Sequence, residues 1–354
     1  MPARAGCRNI LPPPFMRPLI LLLVAVSVFA ADDTKLRIHE LGKPGADKLA
    51  DLPARYAASM AKGYGASMPN PVFRLSDLEF LPEGRRERLD LYVSYRRDFK
   101  VRRPGVLFIH GGGFTGGDKA EYRSASVSAD LARAGYVVVS CNYVLGPKDK
   151  PGVWPRNIAD CRDAVRWMRA NADALGLDPD RIAVAGGSAG GYLALMVGLS
   201  DDKTGPGGDP AAKHSAKVSA VIDFYGVVNF SKHGKGQVPG VSDAEQAAYL
   251  PENQCDPQDP SVLILHGTAD TTVDIAQSDA LAKALRAAKV SHEYVVVAGA
   301  PHTFDLHPKG KSWKRTGLIA GAEVSSSSLE ADITQVTLAF LARTTREVRL
   351  TPSG

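Results

Sequence analysis

Short apolar runs alternate with amphipathic segments along most of the chain. The apolar runs are rich in Val, Ile and Leu and span residues 89–94, 106–110, 136–141, 182–185, 218–224, 262–266 and 293–297. Segments with the period of an amphipathic helix span residues 121–134, 157–175, 189–200, 276–289 and 331–344. Strands that alternate with helices pair as a parallel sheet covered on both faces, so the pattern predicts an α/β fold. Runs without polar alternation, such as Val106–Ile109, are typical of strands buried on both sides.

Three stretches depart from this rhythm. Residues 31–70 are rich in Ala, Gly and Lys, and we interpret them as an N-terminal arm with one helix near residues 48–62. Residues 226–260 are rich in Gly, Lys, Gln and Pro, which predicts a cap-like insertion above the sheet. Residues 307–328 contain four basic residues followed by four serines. We expect a solvated loop there, with contact to an anionic substrate as the alternative.

One continuously apolar stretch stands near the start of the sequence. It runs from Leu19 to Ala31, about 13 residues, whereas a membrane-spanning helix needs roughly 20. Three arginines and no acidic residue precede it, which is the layout of a secretory signal peptide. We expect cleavage after Ala30 and a periplasmic or secreted protein with no stable membrane insertion; an uncleaved anchor is the alternative. Whether Met1 or Met16 is the true start stays open.

The rest of the sequence predicts a single domain. We assign residues 1–30 to the signal peptide, 31–70 to the arm, 71–345 to the α/β domain and 346–354 to a C-terminal tail. The 354 residues are 44% hydrophobic and 23% charged, which excludes a disordered chain and a collagen-like fibre. The net charge of +5 falls to 5 − 3 = +2 without the three signal arginines. We therefore expect no nucleic-acid partner, and the oligomeric state does not follow from the sequence.

The cysteines do not indicate a metal site. Cys7 lies in the signal peptide, which leaves Cys141, Cys161 and Cys255. Because three is an odd number, at least one thiol stays free or pairs between chains. The sequence contains no Cys-x-x-Cys and no His-Glu-x-x-His, so we expect no metal and no cofactor.

A serine stands between glycines where a strand is predicted to turn into a helix. The segment Ile182–Tyr192 reads IAVAGGSAGGY and places Ser188 between Gly186 and Gly190. A nucleophilic serine needs a sharp turn with small neighbours, so that its hydroxyl projects above the sheet. The following helix directs its N-terminal dipole at the same place, which favours developing negative charge. The pattern predicts Ser188 as a nucleophile.

A second glycine-rich segment follows the apolar run that ends at Ile109. It reads His110-Gly111-Gly112-Gly113-Phe114, and three glycines allow bare amides to turn toward an oxyanion. The competing use, a phosphate-binding loop, lacks the Gly-Lys-Ser/Thr ending. We expect His110 to organise this loop by hydrogen bonding rather than to transfer protons.

An aspartate and a histidine follow the last two predicted strands. Asp270 closes the segment His266–Asp270, and His302 lies in Ala300–Phe304. The carboxyl ends of parallel strands meet at one edge of the sheet, so we expect both side chains on the same side as Ser188. A serine nucleophile needs a base and an acid that fixes the imidazole tautomer, and the order Ser, Asp, His is that of α/β hydrolases. The rival side chains, at less suitable places, are His292, His307 and Asp274.

Together these segments carry a family resemblance. Gly186–Gly191, His110–Phe114, His266–Asp270 and Pro301–Phe304 resemble the α/β-hydrolase superfamily, in the bacterial carboxylesterase branch related to hormone-sensitive lipase and to acetylxylan and feruloyl esterases. The resemblance covers about residues 70–345. It implies an α/β-hydrolase fold: a mostly parallel eight-stranded sheet with helices on both faces and a small insertion after strand 6.

The resemblance also implies roles for individual residues. Ser188 would be the nucleophile, with Asp270 and His302 as its partners. The oxyanion hole would consist of the backbone N–H groups of Gly112, Gly113 and Ala189. The glycine loop is similar to that of secreted esterases acting on acetylated or feruloylated xylan, and to that of kynurenine formamidases.

Two departures from the family bear on the substrate. Val227 stands where the family has proline, and residues 31–75 leave little room for a large helical cap. We therefore expect an open cleft that suits short acyl groups on a bulky alcohol. Phe114, Trp154 and Tyr192 are candidate substrate-binding residues, although large aromatic side chains are more often core.

The function that the sequence predicts is that of a secreted serine carboxylesterase. It would hydrolyse short-acyl esters of a small molecule or a polysaccharide, such as acetyl or feruloyl groups on plant polysaccharide, through a Ser-His-Asp triad and an acyl-enzyme. One alternative is a small-amide or formamide hydrolase of kynurenine formamidase type. The other is a catalytically silent binding module on the same fold.

Overall fold

A computed structural model describes residues 36–41, 49, 51–62, 71–147, 153–230, 238, 241–306, 315–319, 322–326 and 333–345. The strands among them are β1 Ile38–Glu40, β2 Val72–Leu78, β3 Leu89–Ser94, β4 Arg103–Ile109, β5 Val137–Cys141, β6 Leu177–Gly187, β7 Ala220–Phe224, β8 Ser261–Gly267, β9 His292–Val297, β10 Arg315–Ile319 and β11 Ala322–Ser326. The α-helices are α1 Leu52–Ala61, α2 Tyr122–Arg133, α3 Arg156–Ala170, α4 Ala172–Leu175, α5 Ala189–Leu199, α6 Ala276–Ala287 and α7 Ile333–Thr344. Short 3-10 helices span Gln246–Tyr249, Pro251–Asn253 and Phe304–Leu306.

The described strands form one sheet in the order β1-β2-β3-β5-β4-β6-β7-β8-β9-β10-β11. All pairs from β5 across to β9 are parallel, and β3 pairs antiparallel with both β2 and β5. Strands β2 to β9 are therefore the mostly parallel eight-stranded sheet that the family resemblance implies, and this prediction is confirmed. Strand β1 extends one side of it, and β10 and β11 extend the other.

Residues 307–328, predicted as a loop, contain a hairpin instead. Strand β10 pairs antiparallel with β9, with Gly317 opposite Val295, and β11 pairs antiparallel with β10. The short apolar stretches of this hairpin lie between basic and serine-rich segments, and that composition conceals them. Pairing with the edge of β9 supplies the backbone partners that the local sequence does not indicate. His307 and the three lysines of this stretch lie outside the described residues.

The sheet is covered on both faces because alternate residues of each strand enter different cores. Along β4, Leu107 and Ile109 pack in one cluster, and Val106 and Phe108 pack in the other. Helices α3, α5 and α6 contribute to the first cluster, and α2 and α7 contribute to the second. All four β4 residues are fully buried, as predicted for a strand without polar alternation.

Two predictions about the chain ends have different outcomes. The helix expected near residues 48–62 is α1, whereas the signal peptide, much of the arm and the C-terminal tail lie outside the described residues. Across the described ranges, no helix combines the length and apolar character that crossing a membrane requires.

The insertion after β7 packs against helix α5 where it is described. The hydroxyl of Tyr192 in α5 donates a hydrogen bond of 3.0 Å to the carbonyl of Tyr249, which lies in the insertion. The side chain of Gln277 accepts from the amides of Val228 and Asn229 at 2.8 and 2.6 Å. These bonds hold the start of the insertion and Tyr249 next to one edge of the sheet. The parallel strands β4–β9 end at this edge, called here the carboxyl edge; the opposite edge is the amino edge.

Candidate active site

Ser188 stands at the turn from β6 into α5 in a backbone conformation that few residues adopt. Its φ is 58° and its ψ is −122°, a strained conformation typical of a nucleophile turn. The flanking glycines make this turn possible because a Cβ on Gly186 would lie 2.2 Å from the carbonyl oxygen of Gly190. Ser188 is partly exposed between buried neighbours. Its hydroxyl is therefore presented at the carboxyl edge, as the sequence predicts.

The turn is fixed by two backbone hydrogen bonds. The amide of Ser188 donates to the carbonyl of Phe224 at 2.9 Å, and the carbonyl of Ser188 accepts from the amide of Tyr192 at 3.1 Å. The first bond joins Ser188 to the end of β7, and the second starts α5. Ser188 directly precedes α5, so the unpaired N–H groups of the first helical turn lie next to it.

The glycine loop runs beside this turn. A Cβ on Gly111 would lie 3.4 Å from the Cβ of Ser188. Gly112, Gly113 and Phe114 have φ values of 108°, 61° and 64°, so the backbone needs glycine at two of these positions. Within the part of the chain that the structure describes, the amides of Gly112, Gly113 and Ala189 have no hydrogen-bond acceptor. These are the three donors proposed for an oxyanion hole.

His110 supports this loop from below. Its Nδ1–H donates to the carbonyl of Gly111 at 2.7 Å, and its ring stacks on that of Tyr143 with centroids 4.4 Å apart. The hydroxyl of Tyr143 donates in turn to the carbonyl of His110 at 3.1 Å. Burial lowers the pKa of His110 to about 4. A neutral imidazole at pH 7 with this bonding organises the loop, which supports the role expected from the sequence.

The structure brings Asp270 and His302 together at the carboxyl edge. Asp270 follows β8 and His302 follows β9, and the Nδ1–H of His302 donates to Oδ2 of Asp270 at 2.7 Å. Asp270 is almost fully buried, whereas the side chain of His302 is 15% exposed. The bond fixes the tautomer that leaves Nε2 of His302 free to accept a proton.

The charge of Asp270 is held by several donors. Burial alone would raise the pKa of this carboxyl group, but hydrogen bonds outweigh it and hold the pKa well below its usual range. The donors are the rings of His266 and His302 and the amides of Val273 and Thr272. The two amides lie 2.9 and 2.8 Å from Oδ1. Asp270 is therefore ionised whenever His302 needs a negative partner.

His266 is a second neighbour of Asp270 that the sequence does not identify as a site residue. Its Nε2 lies 3.3 Å from Oδ2 of Asp270 and donates to the carbonyl of Val273 at 2.9 Å. Its Nδ1 accepts from the hydroxyl of Ser278 at 2.7 Å. His266 is fully buried, so it holds the loop of Asp270 in place. Only its position four residues before Asp270 could have indicated this.

The rival residues have other tasks where they are described. Asp274 accepts from the amide of Ala276, the first residue of α6, at 2.9 Å. His292 begins β9 at the amino edge, where its Nδ1–H donates to the carbonyl of Val290. The third rival, His307, lies outside the described residues.

Asp160 ties α3 to the loop after Tyr143. Its Oδ2 accepts from the amide of Val144 at 2.8 Å and from Arg85 at 2.6 Å. With these partners, Asp160 has a structural role and lies outside the candidate catalytic group.

The three candidate aromatic residues form a cluster with a fourth, Phe230. The Phe114 ring centroid lies 5.1 Å from that of Trp154, 5.6 Å from that of Tyr192 and 5.8 Å from that of Phe230. Phe114 and Tyr192 are buried, whereas Trp154 is partly exposed. We call these four residues the aromatic cluster. It includes Phe114, the residue that directly follows Gly113, and direct contact of its members with a substrate stays a prediction.

Phe230 could not be identified from the sequence. It lies in the insertion after β7, for which no periodic pattern predicts a neighbour, and it joins the aromatic cluster only through the folded chain.

Two of the three cysteines that the structure describes have thiols that are hard to ionise. Cys141 and Cys161 are buried and free, and Cys255 is partly buried. Burial raises the pKa of Cys255 to about 12 and that of Cys161 well above its usual value, so neither forms a thiolate readily. Over the described ranges, no three His, Cys, Asp or Glu side chains lie close enough to hold a metal ion.

Comparison with known proteins gives the same picture. Residues 89–285 match the model of the BD-FAE family. The chain is 30% identical over 275 residues to the probable carboxylic ester hydrolase LipM of Mycobacterium tuberculosis, which covers 70% of this chain and 62% of LipM. The chain therefore spans less than two thirds of that relative's length.

Two solved structures are similar over most of their length. A thermophilic esterase of Thermogutta terrifontis with butyrate bound has a TM-score of 0.58 and 26% identity, over 79% of this chain and 96% of the esterase. A truncated carbohydrate esterase from gut microbiota has a TM-score of 0.62 and 20% identity, over 77% and 96%; at that identity the likeness shows the fold. Since the family match covers more than half of the residues, the chain belongs to the BD-FAE family of α/β hydrolases.

Proposed function

We propose that this protein is a serine carboxylesterase whose catalytic triad is Ser188, His302 and Asp270. The observation that carries the proposal is the 2.7 Å bond from Nδ1 of His302 to Asp270, at the edge where Ser188 stands. That bond leaves Nε2 as the lone basic atom of the ring. The names of the similar proteins, a carboxylic ester hydrolase and a thermophilic esterase, support the same reaction.

The geometry supports the following first step. The hydroxyl oxygen of Ser188 attacks the ester carbonyl carbon while Nε2 of His302 takes the hydroxyl proton. The carbonyl oxygen becomes an oxyanion, and the unliganded amides of Gly112, Gly113 and Ala189 stabilise it. The C–O bond to the alcohol then breaks, and His302 gives its proton to the departing alkoxide.

The second step regenerates the serine. A water molecule loses a proton to Nε2 of His302 and attacks the acyl-enzyme carbonyl, so the carboxylic acid leaves and Ser188 recovers its proton. During both steps Asp270 stabilises the imidazolium by its negative charge. Its hydrogen bonds keep it ionised, so it does not compete for the proton.

The aromatic cluster supports a preference for short acyl groups. Phe114 follows Gly113 directly and packs against Phe230 and Tyr192. We infer that these aromatic side chains limit the space for the acyl group next to the oxyanion donors. The esterase of Thermogutta terrifontis holds butyrate, a short acid. We infer that acetyl to butyryl esters are the best substrates, and that their bulky alcohol part lies outside the aromatic cluster.

The alcohol part that we propose is a carbohydrate, so the substrate would be an acetylated plant polysaccharide. The resemblance of the glycine loop to that of secreted xylan esterases supports this substrate. The partly exposed ring of Trp154 lies at the rim of the aromatic cluster, where it can stack on a sugar. Residues 1–30 have the layout of a signal peptide, and we propose export to the periplasm or the medium.

The test is hydrolysis of p-nitrophenyl acetate, butyrate and octanoate by the purified protein. We expect kcat/KM to fall from butyrate to octanoate by at least about tenfold, because the aromatic cluster leaves no room for long acyl chains. Ser188→Ala should abolish turnover of all three esters. Ser291→Ala, which changes an exposed serine at the amino edge, is the control and should behave like the wild type.

Three results would contradict parts of the proposal. Full turnover by Ser188→Ala would contradict the assignment of the triad. Equal rates on all acyl chain lengths would contradict the preference for short acyl groups. A higher kcat/KM for N-formyl amides than for the esters would show that the protein is a formamide hydrolase rather than an esterase.

A further inference from the structure

A buried guanidinium lies against both halves of the proposed active site. Arg123 is the second residue of α2 and is 6% exposed. A Cβ on Gly187 would lie 1.8 Å from its Nη2, and a Cβ on Gly111 would lie 3.7 Å from its Nη1. The guanidinium therefore fills the space that the glycine before Ser188 leaves open, and it reaches the glycine loop as well.

The same guanidinium is joined to the loop of His302. Its Nε donates to Oδ2 of Asp305 at 2.7 Å, and Asp305 follows His302 by three residues. The hydroxyl of Tyr225 donates to Oδ1 of Asp305. Arg123 and Asp305 are both nearly inaccessible to solvent. The ion pair thus links α2 to the loop that carries the proposed base.

Tyr225 completes the connection to the imidazole. Its ring centroid lies 4.5 Å from that of His302, and the guanidinium carbon of Arg123 lies 5.0 Å from the Tyr225 ring. Tyr225 directly follows Phe224, whose carbonyl accepts from the amide of Ser188. One contiguous set of contacts therefore runs from the serine turn through Tyr225 and the ion pair to His302.

A role in stability alone accounts poorly for this pair. A buried ion pair is often no more stabilising than apolar residues of the same volume, because both charges lose their hydration. Arg123 also leaves its Nη2 without a hydrogen-bond partner among the described residues, which is a further cost. The guanidinium keeps its charge because Asp305, Tyr225 and Glu121 outweigh the effect of burial and raise its pKa.

We propose that Arg123, Asp305 and Tyr225 form a positioning unit that holds the imidazole of His302 and the Ser188 turn in register and balances the charge next to the imidazole. The inference rests on the proposed esterase function. Tyr225 supports one face of the imidazole, Asp305 orients Tyr225, and Arg123 neutralises Asp305 while it packs under Gly187. In this proposal the three residues act through His302 and Ser188 rather than on the substrate.

The charge balance makes opposite predictions for the two members of the ion pair. The titratable and charged groups around the imidazole are Asp270 and His266 from the β8 side, Tyr225 after β7, Asp305 on its own loop and Arg123 from α2. Asp305→Asn leaves the cation of Arg123 unbalanced, which disfavours imidazolium. Arg123→Met leaves the carboxylate of Asp305 unbalanced, which favours imidazolium.

The experiment measures the titration of the His302 imidazole by NMR and the pH profile of kcat/KM on p-nitrophenyl butyrate. Asp305→Asn should move the midpoint and the acid limb to lower pH by about one unit, and Arg123→Met should move them to higher pH by a similar amount. We expect kcat of Arg123→Met to fall about 10- to 100-fold with KM changed less than about threefold, because alignment is lost rather than binding. Arg123→Lys keeps the charge and should restore the midpoint but not the full kcat.

The control is Arg162→Lys, which changes another fully buried arginine, bonded to carbonyls at the end of α5 away from the site. It should lower the melting temperature and leave the titration midpoint unchanged. Midpoints of Asp305→Asn and Arg123→Met that both equal the wild-type value, or that move in the same direction, would overturn the positioning unit. If Arg123→Met does not fold, Asp305→Asn and Arg123→Lys decide the matter. The NMR titration needs no turnover, so failure of the esterase function is seen separately.

Discussion

The two edges of the sheet contrast in where backbone strain is found. Six of the described non-glycine residues have positive φ. Four of them lie at the carboxyl edge, namely Phe114, Ser188, Tyr225 and Thr303, and Asp77 lies at the register shift between β2 and β3. At the amino edge only Lys289, in the turn between α6 and β9, has such a value. Strained conformations persist only where the surrounding structure enforces them, and they concentrate at functional sites.

The contrast extends to charged side chains. At the carboxyl edge the pair of Arg123 and Asp305 is buried against the serine turn. At the amino edge Arg343 pairs with Glu293 at 2.7 Å, with the arginine 43% exposed. A pair of the second kind contributes little to stability because water screens it. The buried ion pair and the strained residues of the carboxyl edge therefore position the candidate active site. The exposed ion pair of the amino edge lies at the surface, away from that site.

The largest effect should come from removing the charge next to the proposed base. Asp270→Asn keeps the shape of the side chain but loses the carboxylate that fixes the tautomer of His302, so kcat should fall by about 10⁴-fold. Asp274→Asn, four residues away and bonded to the first amide of α6, is the matched control and should keep kcat within about twofold. Steady-state kinetics on p-nitrophenyl butyrate measures both. Similar kinetics for the two variants would contradict the assignment of Asp270.

A smaller effect should follow from a methyl group under the serine turn. A Cβ on Gly187 would lie 1.8 Å from Arg123, so Gly187→Ala must displace the guanidinium and misalign Ser188. We expect kcat to fall about 100-fold. Gly135→Ala supplies the control, since its Cβ meets nothing within 4 Å while its φ of +99° is unfavourable for alanine. That variant should lose about 1 kcal/mol of stability and no activity. Equal activities of the two variants would separate the guanidinium from the site.

A third effect concerns a buried carboxyl group below the carboxyl edge. Burial raises the pKa of Asp223 to about 7, above its value in the unfolded chain. The unfolded chain therefore loses this proton first, and stability falls as pH rises from about 4 to 7. Asp223→Asn removes this dependence. Its melting temperature relative to the wild type should rise by several degrees between pH 5 and pH 8, as measured by calorimetry. A difference that does not change with pH would show that Asp223 is ionised in the fold.

The smallest effect should occur at the amino edge. Arg343→Met removes the exposed partner of Glu293 and should cost less than about 1 kcal/mol of unfolding free energy, with kcat and its pH profile unchanged. Urea denaturation and the same kinetic assay measure this. A shift of the pH profile comparable with that of Asp305→Asn would abolish the contrast between the two edges.

Much of the fold could be predicted because its evidence is local. The buried strand of Val106–Ile109 and the glycine-flanked Ser188 each depend on a few adjacent residues. Parallel order then places Asp270 and His302 at the same edge as Ser188. The apolar pattern does not indicate strand β2. Polar residues such as Arg74 interrupt its apolar ones, so it does not resemble the fully buried strands.

The rest depends on contacts between distant residues. Arg123 and Asp305 are 182 positions apart, and neither belongs to a motif. Phe230 joins Phe114 across the sheet edge through a segment without periodicity. The hairpin of β10 and β11 needs the edge of β9 as its template. In each case the partner, rather than the local sequence, determines the structure.

The most direct test of the account is to identify the residue that carries the acyl group. The protein would be mixed with p-nitrophenyl butyrate, quenched in acid within milliseconds, digested and analysed by mass spectrometry. We expect one butyryl group, on the hydroxyl oxygen of Ser188, and none in Ser188→Ala. An acyl group on another residue, or one that persists in Ser188→Ala, would contradict it.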